Sequence, residues 1–188
     1  MTHFAETSLA NGQAPPTERC YWVVPGKLLA GSYPGHPDTA LQLQRLEAMY
    51  AAGVRTFLNL MEADETDKDQ NPFNPYLPMI QQWGEPIEMV RMSIVDMNIP
   101  TTQQMTAILD TLDQFLLRPH VTYVHCFGGM GRTGTVIGCW LMRHGLANSK
   151  NVLEIIAQLR HVDIQRRSVV VPQTPTQRQF VLDWQPAS

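Results

Sequence analysis

Between His125 and Gly134 the chain reads His-Cys-Phe-Gly-Gly-Met-Gly-Arg-Thr-Gly, and few folds can accommodate that segment. Ahead of it, the apolar run Val121 to Val124 predicts a buried strand. Behind it, Thr135 to Leu141 is apolar enough for a buried helix. A strand that turns through glycines into a helix brings backbone N–H groups and the helix dipole to bear on one point, which makes a cradle for an anion. The same field favours the thiolate form of a cysteine placed there, here Cys126. Arg132 can fork two N–H bonds to phosphate oxygens. Cys126 and Arg132 thus predict a catalytic phosphate site, with Phe127, Gly128, Gly129, Met130 and Gly131 as the loop that wraps the phosphate.

Two other readings compete. A buried cysteine by itself is commonly an inert core residue, but one followed by glycines and an arginine in this order has a chemical use. Gly129, Gly131 and Gly134 also spell the G-x-G-x-x-G of dinucleotide-binding units. That motif calls for a further strand and an acidic residue about 20 positions on. Glu154 has the distance, yet Val152, Ile155, Ile156 and Leu159 around it keep helical spacing. The nucleotide P-loop is excluded, because Arg132 stands where its lysine belongs.

The pattern around the loop alternates strands with helices. Tyr21–Val24 and Lys27–Ala30 read as short strands about a Pro25-Gly26 turn, and Val54–Leu60 and Ile87–Ile94 as two more. Asp38–Ala52 reads as a helix with Leu43, Leu46 and Tyr50 on its buried face and Gly53 as its stop. A short helix falls within Phe73–Trp83. Thr101 and Gln104 form a capping box for a helix whose stripe is Met105, Ile108, Leu109, Leu112 and Leu116. Asn148 caps another helix to about Arg160, and a last one runs from Pro175 to near Trp184. The class expected is α/β, a central, mostly parallel sheet of about 4–5 strands flanked by helices. Residues 1–17, polar with Pro15-Pro16, are expected to form a flexible tail, and 18–188 one domain.

A net charge of −3 gives no general attraction to nucleic acid or anionic membranes. No apolar run approaches the roughly 18 residues of a membrane span, and the N-terminus lacks a basic-then-apolar signal. Three cysteines without metal-type spacing suit a reducing compartment, and the six histidines form no ligand-like pairs. A cytoplasmic protein without metal or cofactor is expected.

Cys126 and Arg132 in this spacing, with His125 before and Thr133-Gly134 after, resemble the Cys-x5-Arg signature loop of the protein tyrosine phosphatase superfamily. The variant Cys-Phe-Gly-Gly-Met-Gly-Arg is most similar to the small dual-specificity branch, of the cyclin-dependent-kinase-associated type, and the likeness runs from about Trp22 to Trp184. It implies a phosphatase fold and hydrolysis of phosphotyrosine, with phosphoserine or phosphothreonine as further substrates, through a phosphocysteine and without cofactors. Phosphoprotein is then the partner. The Lys-Asn-Arg-Tyr motif that sets pocket depth in tyrosine-specific relatives is missing. Phosphoinositide or other small-phosphoester hydrolysis, and non-catalytic phosphopeptide binding, are the alternatives.

Thiolate attack on a phosphate monoester needs a proton donor beside the leaving oxygen. Asp96, in Ser-Ile-Val-Asp-Met-Asn-Ile-Pro ahead of the Thr101 cap, matches the superfamily's acid loop in position and in its trailing proline. The resemblance also makes Thr133 a hydroxyl donor to the cysteine sulfur, and the segment Gln173-Thr174-x-x-Gln177 a water-positioning loop. Thr174, Pro175 and Gln177 account for a helix start by themselves, which leaves Gln173 as the better water-positioning candidate. His125 is expected to orient the loop. The acidic stretch Glu62–Asp69 is either a solvated loop or a border of the pocket. Arg160, Arg166 and Arg167 are either helix-end cations or a docking cluster.

Overall fold

The computed structural model describes residues 8–163 and 166–185. Five strands, β1 (Cys20–Val24), β2 (Leu28–Gly31), β3 (Val54–Asn59), β4 (Glu88–Arg91) and β5 (Val121–His125), form one sheet in the order β1-β2-β5-β3-β4. Only β1 runs antiparallel, to β2, while the pairs β2/β5, β5/β3 and β3/β4 are parallel. The mostly parallel α/β sheet expected from the alternation is therefore present. β5 is central and buried along its whole length, as its apolar run requires.

Side chains alternate across the strands into two cores. Tyr21, Val23, Leu28, Ala30, Leu58 and Val124 join one cluster with α3 (Thr102–Leu116), α4 (Arg132–Arg143), α5 (Val152–Leu159) and α6 (Pro175–Leu182). Cys20, Trp22, Leu29, Phe57 and Tyr123 join the other with α1 (Thr39–Ala51) and α2 (Leu77–Ile80). A period of two on the strands thus builds a three-layer sandwich. Among the described residues, no helix is long and apolar enough to cross a membrane and no cluster of residues suits a metal ion.

Several expected boundaries shift. Asp38, expected as the first helical residue, is instead the N-cap of α1, and the buried face is Gln42, Leu46 and Met49, with Leu43 38% exposed. The Gln42 amide explains the rotation: it accepts from His36 N (2.7 Å) and donates to Pro75 O (3.2 Å), tying α1 to two loops. The cap of α5 is Asn151, not Asn148, which instead closes the preceding turn by accepting from Lys150 N at 2.9 Å. The capping boxes at Thr101/Gln104 and Thr174/Gln177 both form. Of the expected tail, residues 1–7 lie outside the described residues. The part that follows runs along β1, where Ala10 N donates to Val23 O (3.1 Å) and Trp22 Nε1 to Ala14 O (3.3 Å). After α4 comes α5 with Glu154 in its first turn, so the second strand of a dinucleotide unit is missing among the described residues.

Candidate active site

Strand β5 ends at His125 and α4 begins at Arg132, so residues 126–131 form the loop at the carboxyl end of the central strand, where parallel sheets bind ligands. Cys126 is buried. Its sulfur accepts hydrogen bonds from Gly129 N (3.3 Å) and the Thr133 hydroxyl (3.1 Å). Gly129 has φ +71°, and a Cβ there would lie 2.6 Å from Ser32 N, so only glycine lets the loop pack on the end of β2. At Gly131 a Cβ would meet the Gln177 amide at 3.0 Å.

The loop is braced from outside. Tyr33 N donates to Phe127 O (3.0 Å) and Arg166 Nη1 to Gly128 O (2.8 Å). The Phe127 ring stands 48% exposed and lies 4.8 Å from that of Phe73. Met130 is half-buried against the α3/α4 core. Beneath the loop, His125 has no solvent exposure; its Nε2 pairs with the Tyr76 hydroxyl (2.8 Å) and its Nδ1 faces Cys126 O (3.3 Å). Burial pushes the imidazole down to about 3, with Arg91 and Arg132 adding to the effect against the raising influence of the Cys126 carbonyl. The ring is thus held beneath the loop between the Tyr76 hydroxyl and the Cys126 carbonyl.

Arg132 is buried and shared by two carboxylates. Its Nη1 donates to Glu65 Oε1 and to Ile94 O (3.1 Å), and its Nη2 to Glu65 Oε2 (3.0 Å), with Asp96 Oδ1 2.9 Å away. Burial alone would lower the guanidinium pKa, but the Glu65 hydrogen bonds and the charges of Cys126, Glu65 and Asp96 raise it above the ordinary value. The Arg132 Nε is buried without a partner among the described residues.

The structure therefore brings Cys126, residues 127–131, Arg132, Thr133 and Asp96 together and leaves Gln173 outside. Gln173 is exposed, and its engaged atom is the carbonyl, which accepts from Arg178 (3.0 Å). The glutamine at the site is Gln177. Its Oε1 accepts from Thr174 N (3.1 Å) as the capping box requires, while its Nε2 reaches back to Asn98 O in the acid loop (3.0 Å). One side chain thus serves both the helix start and the site. The acidic stretch is likewise more than a solvated loop, since Glu65 carries the ion pair with Arg132. Its signal was present in the sequence: an acidic segment following a strand parallel to β5 must lie at the same end of the sheet. The basic residues separate: Arg160 is buried with Asp163 (3.3 Å), Arg166 braces Gly128, and Arg167 is exposed.

Comparison with known proteins agrees with this geometry. The profile of the Swiss Army Knife protein, DSP-PTPase phosphatase domain family matches residues 17–177. The chain belongs to that family. The uncharacterized protein MJ0215 of Methanocaldococcus jannaschii is 30% identical over 111 residues, which are 56% of this chain and 64% of that protein. The chain thus spans less than two thirds of this relative's length. Among solved structures, kinase-associated phosphatase with serine at its catalytic cysteine superposes with a TM-score of 0.64 at 21% identity, over 82% of this chain and 83% of that one. PTPMT1 in complex with PI(5)P does so with 0.61 at 20% identity, over 85% and 90%. At such identities the two structures speak for the fold, and the family match identifies residues 17–177 as a DSP-PTPase phosphatase domain.

Proposed function

We propose that this DSP-PTPase-family chain hydrolyses phosphotyrosyl protein through a phosphocysteine at Cys126. The observation that carries the proposal is the convergence on the Cys126 sulfur of the Gly129 N–H and the Thr133 hydroxyl, with buried Arg132 closing the same loop and Asp96 2.9 Å from its guanidinium. The unpartnered Arg132 Nε and the loop N–H groups address the equatorial oxygens of the transferring phosphoryl group, on which transition-state charge accumulates. In the first step the Cys126 sulfur forms a bond to phosphorus, the bond to the leaving oxygen breaks, and Asp96 gives that oxygen its proton. In the second, water attacks phosphorus and yields its proton to Asp96. The sulfur then leaves as thiolate, eased by the Thr133 hydroxyl. Gln177, seated between Gly131 and Asn98, takes over the water-positioning role first assigned to Gln173. Glu65 holds the plane of Arg132 fixed.

Phosphotyrosine is favoured because the exposed Phe127 ring, backed by Phe73, offers an aromatic wall at the mouth of the loop. Between Cys126 and Arg132 there is no lysine or arginine to meet further phosphates of an inositol ring. Each missing cation forgoes a charge-assisted hydrogen bond of roughly 1.5–3 kcal/mol. The fold shared with PTPMT1, solved in complex with PI(5)P, makes phosphoinositide the second reading. Three buried, unpaired cysteines fit a reducing, cytoplasmic setting. A side-by-side phosphate-release assay decides between substrates. Phosphotyrosyl peptides are expected at a kcat/KM at least about tenfold above phosphoinositides, a gap of about 1.4 kcal/mol, and a phosphoinositide ranked first would overturn the substrate class.

A further inference from the structure

Beside the signature loop lies a second concavity of about 420 Å³, bounded by Arg19, Tyr33, Arg45, Asp67, Phe73 and Phe127 among others. It shares a wall with the phosphate loop. Phe127 follows Cys126 directly, its carbonyl is held by Tyr33 N, and its ring faces Phe73.

Arg19 is the unusual group here. It is half-buried, its Nε is buried without a partner, and among the described residues its guanidinium makes no hydrogen bond or ion pair. Neighbouring Arg45 is ion-paired with Glu18, and Arg166 has committed its Nη1 to Gly128 O. Burial first, then the charges of Arg166 and Arg45, lower the pKa of Arg19, so it sits among cations with Asp163 as a lesser compensation. A partly desolvated cation without its own counter-ion is costly, and the cost is relieved when an anion arrives. Asp67, on the lip, is turned into its own loop, where its Oδ1 accepts from Asp69 N (2.9 Å) and Asn71 N (2.8 Å).

We propose that this cavity is a second anion subsite, which takes the carboxylate of an acidic residue flanking the scissile phosphotyrosine of a peptide substrate. It rests on the phosphotyrosyl reading above. An Arg19 fork matches a carboxylate in bidentate fashion, and the rings of Tyr33, Phe73 and Phe127 cover the methylene stem that carries it. A tyrosine ring against Phe127 leaves its neighbours in the chain at the rim that Phe127 shares with the cavity, since successive residues lie about 3.5 Å apart.

The test is a set of phosphotyrosyl peptides with glutamate walked through the three positions on either side, beside an all-neutral peptide and p-nitrophenyl phosphate. The expected result is a kcat/KM about tenfold above the neutral peptide at one or two positions. Arg19→Gln should bring that ratio to about one, while p-nitrophenyl phosphate stays within about twofold of the unsubstituted protein. In the unsubstituted protein, raising ionic strength from about 0.05 M to 0.5 M should shrink the ratio several-fold, a check that needs no variant. Equal rates on all peptides, an acid preference that survives Arg19→Gln, or one indifferent to salt would overturn the subsite. Turnover of p-nitrophenyl phosphate with none of the peptides would mark the separate failure of the phosphotyrosyl reading, and the subsite would fall with it.

Discussion

The signature loop and the acid loop face each other across the site, and they are built to opposite specifications. Around Cys126 every turn is tied down: the sulfur accepts two hydrogen bonds, the carbonyls of Phe127 and Gly128 are each engaged from outside, and Gly129 rests on β2. The acid loop, residues 95–100, is the reverse. Val95 and Met97 are exposed, Met97 takes φ +60°, and the Asp96 side chain is 63% exposed. Its ties are few: Asn98 N to Val95 O (3.1 Å), Ile99 N to Asn98 Oδ1 (2.9 Å), Gln177 Nε2 to Asn98 O (3.0 Å), and the Asp96 pair with Arg132. An ion pair with so exposed a carboxylate contributes no more than about 1 kcal/mol, little enough for an arriving phosphate to displace. Groups that hold developing charge must be fixed beforehand, whereas a residue that releases and regains a proton, the role proposed for Asp96, gains from lighter restraint. The difference in restraint matches the difference in the roles proposed.

Breaking the lightly held side should remove the proton donor while the nucleophile stays in place. Asp96→Asn is expected to lower turnover by about 10²–10⁴-fold, with a smaller loss when the leaving group is already a stable anion. Measuring kcat on phenyl and p-nitrophenyl phosphate checks this, and an equal loss on both would assign the proton to another residue. On the rigid side, the buried His125 links the loop to pH. Its folded-state value of about 3 lies below the ordinary 6.5, so its contribution is full above pH 6.5 and drains away as pH falls toward 3, because the unfolded chain takes up a proton that the folded one refuses. The loss is on the order of 5 kcal/mol over that window. Denaturant titrations at stepped pH should show it, and His125→Asn should flatten it. An unchanged slope in the variant would place the acid sensitivity elsewhere. Gln177 touches both regions, and Gln177→Ala should lower kcat by about tenfold beside a stability loss of about 1 kcal/mol from the broken cap. A lower melting temperature with kcat unchanged would leave Gln177 a helix cap only.

The same contrast explains what could be read in advance. Strand and helix periods foretold the sheet, β5, α3 and the signature loop, because burial and capping act on neighbours in sequence. Cys126 opens the loop that follows β5 and Arg132 and Thr133 open α4 at its far end, so their spacing alone brought them together. Glu65, Gln177 and Arg166 reach the site from three distant segments, and their roles depend on which strand ends adjoin β5. The capping duty of Gln177 was legible in the sequence, while its second hydrogen bond, to Asn98, was not. Leu43 was placed inside by its apolarity, while Gln42 won the buried position through two hydrogen bonds that no periodicity reveals.

The central claim is that Cys126 carries the phosphoryl group between the two steps. Acid quenching during turnover of an aryl phosphate by Asp96→Asn, in which proton transfer to and from Asp96 is removed from both steps, followed by peptide mass spectrometry, reads this directly. One phosphoryl group is expected on the peptide containing Cys126, absent from the Cys126→Ser protein, whose turnover should fall below a few per cent because a serine hydroxyl is barely ionised. Continued turnover by Cys126→Ser, or a phosphoryl group found on any other residue, would contradict the account.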